Sequence, residues 1–289
     1  MKFIFLLLLA CSIGAFTLNA QSLDELMDEI SPNDEKTEII NTTFKSVYLI
    51  NSHTTKMPAE QVLIFLISHR FGYLDSGFPD LYGLDNATVR FGFEYGLTNK
   101  LALGFGRSTY KRNYDLFAKY AILEQSRGAK TMPVTLSILG VTNISSARWT
   151  DTERDYLFAH RMSYTLQLLV SRQFNESISL QLMPTFIHRN LVGTASDEND
   201  VFALGAGGRV KLSNRVAITG EYHLLMPGET AKHSTAPLSL GLDIETGGHV
   251  FQLFFTNCAA IYDAAFITET SDKWLDGNIR FGFNISRTF

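Results

Sequence analysis

Three His-Arg dipeptides are the residues of this sequence best suited to a binding site. They are His69-Arg70, His160-Arg161 and His188-Arg189. The guanidinium of arginine presents a planar fork of N–H donors that matches carboxylate and phosphate groups. The dipeptides therefore indicate a site for anionic groups, provided that the fold brings them to one end of the molecule.

Nucleophilic or metal-dependent chemistry has less support. A serine hydrolase needs a serine, a histidine base and an orienting carboxylate or amide within hydrogen-bond reach. Two residues after the three histidines stand Phe71, Met162 and Asn190, so no serine is positioned on the same strand face. The seven histidines also lack a His-Glu-x-x-His spacing, and we predict no metal site and no cofactor. An outer-leaflet lipid-modifying enzyme remains the alternative function.

The elements that position the dipeptides alternate in hydropathy with a period of two. In 277–289, Ile279, Phe281 and Phe283 alternate with polar or small residues, and 86–97 and 200–212 repeat the pattern. Soluble strands are usually about five or six residues long, whereas these runs reach the length of transmembrane barrel strands. The alternation predicts that the arginine of each dipeptide faces the lumen. It predicts that His69, His160 and His188 face lipid, at the level where the membrane meets water.

Tight polar turns near residues 99, 175 and 214 and at Gly247-Gly248 alternate with longer links. Outer-membrane barrels have short periplasmic turns and long external loops, so this asymmetry predicts the orientation. The prediction is a transmembrane antiparallel β-barrel of twelve strands with both ends in the periplasm. The predicted strands are 61–72, 86–97, 100–109, 113–124, 133–142, 157–173, 177–189, 200–212, 215–225, 238–246, 248–257 and 277–289.

The residues before the barrel divide into two parts. Residues 1–20 have a charged start, an apolar run and a small-residue end, which predicts an export signal. Residues 21–40 carry seven acids against one lysine. We predict that 21–60 is an acidic periplasmic leader and a possible plug, and that 61–289 is the barrel. Segment 41–50 has strand character, but a thirteenth strand would break the even count.

The composition excludes several classes of protein. With 289 residues, 45% of them hydrophobic and a net charge of −4, the chain is neither disordered nor a typical nucleic-acid binder. Removal of the export signal leaves Cys258 as the single cysteine, so no disulfide framework is expected.

The predicted inward face carries balanced charges. It includes Arg90, Lys119, Arg209 and Lys211 together with Glu94, Asp115, Glu221, Asp243 and Glu245. Both an open channel and a barrel sealed by ion pairs fit such a lining, because twelve strands enclose a narrow lumen.

The outer ends of the strands suggest a basic vestibule for small anionic solutes. A hairpin centred on Asn175 would place Arg161 beside Arg189, and closure of the barrel would bring Arg280 to the rim near Arg70. Pairing of these arginines with loop carboxylates such as Glu153 and Asp155 is the structural alternative.

Several motifs resemble an uncharacterised family of bacterial outer-membrane β-barrels. They are Thr43-Phe44-Lys45-Ser46, Ile67-Ser68-His69-Arg70-Phe71-Gly72, Gly83-Leu84-Asp85-Asn86-Ala87-Thr88, Gly106-Arg107-Ser108-Thr109-Tyr110 and Phe281-Gly282-Phe283-Asn284-Ile285-Ser286. The resemblance runs over most of 42–289 and implies a barrel fold, but no catalytic residues. The terminal Phe289 resembles the signal read by the outer-membrane assembly machinery.

Together these observations predict a bacterial outer-membrane barrel, either a narrow pore or a structural and binding barrel. Its expected partners are outer-membrane lipid, the barrel assembly machinery and small anionic solutes. A soluble periplasmic β-sandwich, with the phenylalanine face buried by a second sheet, is a further alternative.

Overall fold

The computed structural model describes residues 36–149, 153 and 155–289. The predicted export signal and most of the acidic leader lie outside the described residues. The barrel, its connecting links and the segment that leads into it are all described.

Twelve long strands of the described chain form one closed antiparallel barrel, in which each strand pairs with its sequence neighbours and the last pairs with the first. The strands are β1 (Leu63–Tyr73), β2 (Ala87–Gly96), β3 (Leu101–Ser108), β4 (Asn113–Leu123), β5 (Thr135–Ser145), β6 (Met162–Gln173), β7 (Ile178–Arg189), β8 (Asp200–Lys211), β9 (Val216–Leu225), β10 (Leu238–Thr246), β11 (His249–Thr256) and β12 (Arg280–Thr288). The predicted fold class and strand count are confirmed.

The period-two pattern produces two chemically different faces. Along β4, buried and exposed residues alternate from Asn113 to Ile122, with Asp115 and Lys119 inside and Leu116 and Tyr120 outside. No second sheet covers the outward apolar side chains in the described residues, so hydrocarbon is the environment that accepts them. The two-sheet sandwich is therefore wrong, because a single sheet closes on itself and satisfies its own edges.

The links at the outer end contain most of the helical residues. Two short α-helices, α1 (Glu229–His233) and α2 (Asp263–Thr268), lie in the last two outer links. The 3₁₀ turns are Leu74–Ser76, Phe78–Gly83, Tyr110–Arg112, Phe158–Arg161 and Trp274–Asp276. Within the described residues, no helix has the length and apolar character needed to cross a membrane.

The segment before β1 enters the barrel. Glu38–Ile39 first pairs with Ser126–Arg127 at the periplasmic end. Residues 43–55 are then almost all buried, and their hydrogen-bond partners lie on strands distributed around the wall. The strand character of 41–50 thus belongs to a segment inside the lumen, since it adds no strand to the barrel.

Candidate functional site

The lumenal segment folds back on itself as a tight hairpin. Tyr48 bridges His53, the Leu49 N–H donates to the Ser52 carbonyl at 2.8 Å, and the Thr54 N–H donates to the Val47 carbonyl at 2.9 Å. We call residues 43–57 the lumenal hairpin. Its tip, Ile50-Asn51, is held by hydrogen bonds to residues of the barrel wall.

Glu221 on β9 holds the tip of the hairpin. Its carboxylate accepts the Asn51 backbone N–H at 2.8 Å, the Asn51 side-chain amide at 2.6 Å and the Ser52 N–H at 3.1 Å. The same Asn51 amide donates to Ser239 Oγ, and its oxygen accepts Arg70 Nη2 at 2.8 Å. One amide side chain therefore lies between a buried carboxylate and a buried guanidinium.

Other polar wall residues complete the contacts with the hairpin. Gln181 donates to the His53 carbonyl, Gln252 to Leu49 and Asn284 to Ile50, while Lys119 donates to Lys56. Thr55 Oγ1 lies 2.6 Å from Ser171 Oγ. Because most of these contacts are hydrogen bonds, water could replace them at a small net cost for each, about 1 kcal/mol.

Three ion pairs lie on the wall around the hairpin. The nearest oxygen is 2.5 Å from the nitrogen in Arg90–Asp115, 2.8 Å in Lys119–Glu94 and 3.9 Å in Arg209–Asp243, and all six side chains are buried. The balanced inward charges predicted from the alternation are thus largely compensated within the wall.

A second segment enters the lumen from the outer end. Residues 257–272, which we call the inserted loop, carry α2 and the buried Cys258, Tyr262 and Phe266. They pack on apolar inward positions of β7 to β9, namely Ile187, Val201, Ala203 and Leu225. The outer part of the lumen is therefore apolar, whereas the part that holds the hairpin is polar.

The hairpin and the inserted loop meet within the barrel. His53 Nε2 lies 4.0 Å from Asp263 Oδ2 and 2.9 Å from the Tyr48 hydroxyl. Burial raises the pKa of Asp263 to about 7, and it lowers the pKa of His53, to which the positive charges of Lys119 and Arg90 contribute. At neutral pH the histidine is accordingly neutral.

Three polar contacts hold the inserted loop at the rim. Arg280 Nη2 lies 3.0 Å from Asp272 Oδ2, and the Tyr73 hydroxyl donates to the same carboxylate at 2.8 Å. Lys111 Nζ lies 2.7 Å from Glu269. These contacts join the loop to the outer ends of β1 and β12 and to the turn between β3 and β4.

Space remains beneath the hairpin at the periplasmic end. A cavity of about 600 Å³ lies between the hairpin, the first turn of the barrel and the start of β1. Lys56, Met57, Val62, Lys100 and Glu124 are among its lining residues. The lumen is therefore filled in its middle and outer parts but not at its periplasmic mouth.

This geometry agrees with the sequence comparisons. The family DUF5777, described as a membrane-bound beta barrel domain, matches residues 44–289. The chain belongs to this family. The resemblance inferred from the motifs is thereby confirmed, and comparison with curated proteins finds no match.

Comparison with solved structures finds barrels of low sequence identity, of which the NanC porin supports a shared fold. The NanC porin is 11% identical with a TM-score of 0.50, over 78% of this chain and 98% of that one. The KdgM porin in complex with disordered oligogalacturonate is 8% identical with a TM-score of 0.49, over 79% and 99%. Acinetobacter baumannii Omp33 is 9% identical with a TM-score of 0.43, over 80% and 98%. The chain is a porin-like barrel of the bacterial outer membrane.

The four arginines predicted to form the vestibule have separate partners in this membrane-bound barrel. Arg70 is buried at the hairpin tip, where it also donates to Asn284 and stacks on Phe254. Arg280 pairs with Asp272 in the inserted loop. Arg70 lies opposite Gly282 and Arg280 opposite Tyr73, so the two arginines occupy different levels of the seam between β1 and β12.

Arg161 and Arg189 are not cross-strand neighbours, and that prediction is wrong. Arg189 lies opposite Ser163, because the turn is closed by the Phe174 N–H to the Ile178 carbonyl and is centred one residue later than predicted. Arg161 donates to the Ser145 and Ala147 carbonyls. Arg189 donates to the Glu198 carbonyl and to Thr230. Binding of a solute by these arginines stays a prediction.

The three histidines divide between strand and turn. His69 stacks on Phe283 on the outward face of β1, and His188 on the outward face of β7 lies 2.6 Å from Asp200. The predicted strand position of His160 is wrong, because residues 158–161 form a 3₁₀ turn and β6 begins at Met162. There, His160 Nδ1 accepts the Leu157 N–H.

A serine–histidine contact that the sequence analysis missed lies beside the hairpin tip. Ser52 Oγ is 2.8 Å from His223 Nε2, but both side chains are fully buried and His223 Nδ1 has no hydrogen-bond partner in the described residues. A hydrolytic dyad needs an oriented base and access for substrate. The contact therefore anchors the hairpin in this conformation. The 171-residue separation between Ser52 and His223 left no local signal in the sequence.

Proposed function

We propose that this protein is a narrow outer-membrane pore that is closed by the lumenal hairpin together with the inserted loop, and that it opens when the hairpin withdraws towards the periplasm and releases the loop that it supports. The observation that carries the proposal is the set of hydrogen bonds between the hairpin and a polar wall. Asn51, Ser52 and Thr55 are among the hairpin residues that form these hydrogen bonds. A permanently sealed barrel would be filled more stably by apolar side chains packed to high density.

Two further features support withdrawal. The cavity of about 600 Å³ at the periplasmic mouth is lined in part by Ile39 and Ile40, which precede the hairpin, and it offers space on that side. Gly207 on β8 also leaves room for the hairpin, since a Cβ at this position would lie 2.7 Å from Leu49 Cδ1. The inner surface of the wall therefore has space for a segment that is separate from the strands.

A reversible lock tests the proposal. In a Cys258→Ser background, Thr55→Cys with Ser171→Cys would join the hairpin to β6, because the two native oxygens are 2.6 Å apart. The matched control is Gln167→Cys with Thr185→Cys, cross-strand neighbours on β6 and β7 whose side chains approach to 2.9 Å, so that the disulfide joins two wall strands. Planar-bilayer current should disappear in the oxidised lock, return on reduction and persist in the oxidised control.

Two outcomes would contradict the closed pore. Equal currents from the oxidised lock and the control would show that conduction does not require movement of the hairpin. Absence of current from every protein, including the reduced lock, would favour a sealed structural or binding barrel.

Small anionic solutes are the proposed solute class at the outer rim. Within the described residues, Arg161 donates to two backbone carbonyls, and Arg189 donates to a carbonyl and to a threonine hydroxyl, with Asp197, Glu198 and Glu269 close enough to act on it electrostatically. The proposal therefore rests on the two guanidinium groups and not on the net charge of the rim. The test is the double variant Arg161→Ala with Arg189→Ala, which should reduce the preference of the current for anions. An unchanged preference for anions would contradict the proposed solute class but not the proposal of a pore.

We also propose that Phe289 contributes to recognition by the barrel assembly machinery. Its aromatic ring is largely exposed at the periplasmic end of the last strand, and its N–H pairs with the Leu63 carbonyl at 2.8 Å. Deletion of Phe289 should lower the yield of heat-modifiable barrel in the outer membrane. A normal yield would contradict this role.

A further inference from the structure

The buried charges of the wall leave two members without an opposite charge in contact. Three cation–anion pairs compensate one another, as described above. Within the described chain, Glu221 accepts hydrogen bonds only from the hairpin, and Arg70 donates only to neutral oxygens. Arg189 also donates to neutral oxygens, but it lies at the outer end of the barrel, away from the hairpin tip. Arg70 and Glu221 therefore depend on the hairpin for part of their compensation.

Asn51 is the residue that serves both of them. Its amide oxygen faces the Arg70 guanidinium, and its amide nitrogen faces the Glu221 carboxylate at 2.6 Å. An acceptor and a donor attached to a single carbon thus bridge a cation on β1 and an anion on β9. Withdrawal of the hairpin would leave both charges facing the lumen without this bridge.

We propose that the Asn51 amide stands in for a zwitterionic solute, and that Arg70 and Glu221 form a selectivity site for free α-amino acids in the open pore. The inference rests on the proposed function, because the site becomes accessible only when the hairpin leaves. The carboxylate of such a solute would replace the amide oxygen at Arg70. Its ammonium group would replace the amide nitrogen at Glu221.

Charge matching favours a zwitterion over the other classes. Hydrogen bonds between two ionised groups are shorter and stronger than those to a neutral amide. A simple anion would be attracted by the Arg70 guanidinium but repelled by the Glu221 carboxylate. A simple cation would be attracted by Glu221 but repelled by Arg70. The neutral Ser239, Gln252 and Asn284 surround the site with further hydrogen-bonding groups and add no net charge.

Four solutes of nearly equal size provide the test in proteoliposomes that contain the full chain. They are alanine (zwitterion), lactate (anion), alaninamide (cation) and lactamide (neutral). The wild type should admit alanine faster than the other three. Glu221→Gln and Arg70→Gln should each lower the ratio of alanine to lactamide entry at least about tenfold, since a charge-assisted bond is worth about 1.5–3 kcal/mol.

The variants should also differ in the direction of their new preference. Glu221→Gln should favour lactate, whereas Arg70→Gln should favour alaninamide. Glu221→Asp, which retains the charge, should retain the preference for alanine if a glutamine variant fails to fold. Glu124→Gln, at the pair with Lys100 near the periplasmic mouth, is the control and should leave the ratio unchanged.

The ratio separates this inference from the proposed function, because loosening of the hairpin raises the entry of all four solutes together. Entry of all four at similar rates, or an unchanged ratio in both glutamine variants, would overturn the selectivity site while the pore stands. Failure of every solute to enter through any of the proteins would overturn the pore and the selectivity site with it.

Discussion

His53 Nε2 of the lumenal hairpin lies 4.0 Å from Asp263 Oδ2 of the inserted loop. The first residue reaches this point from the periplasmic end and the second from the outer end. The two segments therefore form one continuous filling of the lumen, and release of either one leaves the other partly unsupported.

The pH dependence of loop docking follows from Asp263. Burial raises its pKa to about 7, with repulsion from Asp115 adding to the effect. The docked loop thus retains a proton that a released loop loses above about pH 4, and the stability of docking falls as the pH rises from about 4 to 7. We expect modification of Cys258 by a thiol reagent to report the release, because this buried side chain lies in the loop.

The Asp263→Asn variant is the control for that measurement. The ratio of wild-type to variant modification rate at each pH cancels both the ionisation of the thiol and the titration of His53. This ratio should rise between pH 5 and pH 7, by at most about tenfold for each pH unit. A ratio that stays constant would contradict protonation of Asp263 in the docked loop.

The contact between Asp272 and Arg280 should restrain the inserted loop. Its two side chains are mostly shielded from water, and the Tyr73 hydroxyl adds a hydrogen bond. Partly screened pairs of this kind contribute about 1 kcal/mol, so Asp272→Asn should accelerate the modification of Cys258 about fivefold. Glu229→Gln removes an exposed pair with Lys232 and should have no effect. Equal acceleration in both variants would argue against a specific restraint.

A side chain at Gly207 should displace the hairpin. The Cβ of a Gly207→Val variant would lie 2.7 Å from Leu49 Cδ1 and 3.0 Å from the Gly220 carbonyl oxygen. We expect a larger fraction of open time in planar-bilayer recordings, since the valine occupies space that the hairpin needs. Gly140→Val is the matched control, because no atom lies within 4 Å of its Cβ position. Current that is unchanged in both variants would contradict the tight fit.

The outward face of the strands should respond to charge according to depth. Leu166 lies within β6 and is 49% exposed, while Leu212 is 59% exposed at a periplasmic turn. Leu166→Arg should lower the free energy of unfolding from lipid vesicles by about 2–4 kcal/mol, and Leu212→Arg by about 0–1 kcal/mol. Urea titrations monitored by tryptophan fluorescence provide the comparison. Similar losses in the two variants would mean that hydrocarbon does not cover Leu166.

The secondary structure and the orientation of side chains were predictable from the sequence because each strand obeys a local rule. Outward residues such as Leu116 must suit hydrocarbon, while inward residues such as Asp115 and Lys119 must suit a polar interior. Turn length and strand length are local as well. The twelve strands were therefore recognisable one by one.

The register between strands was less predictable. A shift in the centre of one turn from residue 175 to 176 changes the partner of Arg189 from Arg161 to Ser163. This shift preserves the inward and outward faces, so the alternation of hydropathy contains no signal against it.

Local patterns of residues specify that lipid-facing strands alternate with short inner turns and longer outer links, and hence that the chain closes into an even-stranded barrel. The segments that fill the barrel are specified by contacts between residues far apart in the chain. Asn51 meets Glu221 across 170 residues, and α2 meets apolar positions on β7 to β9. Such contacts depend on the shape and hydrogen-bonding groups of many strands at once, which exist together only after the barrel has closed.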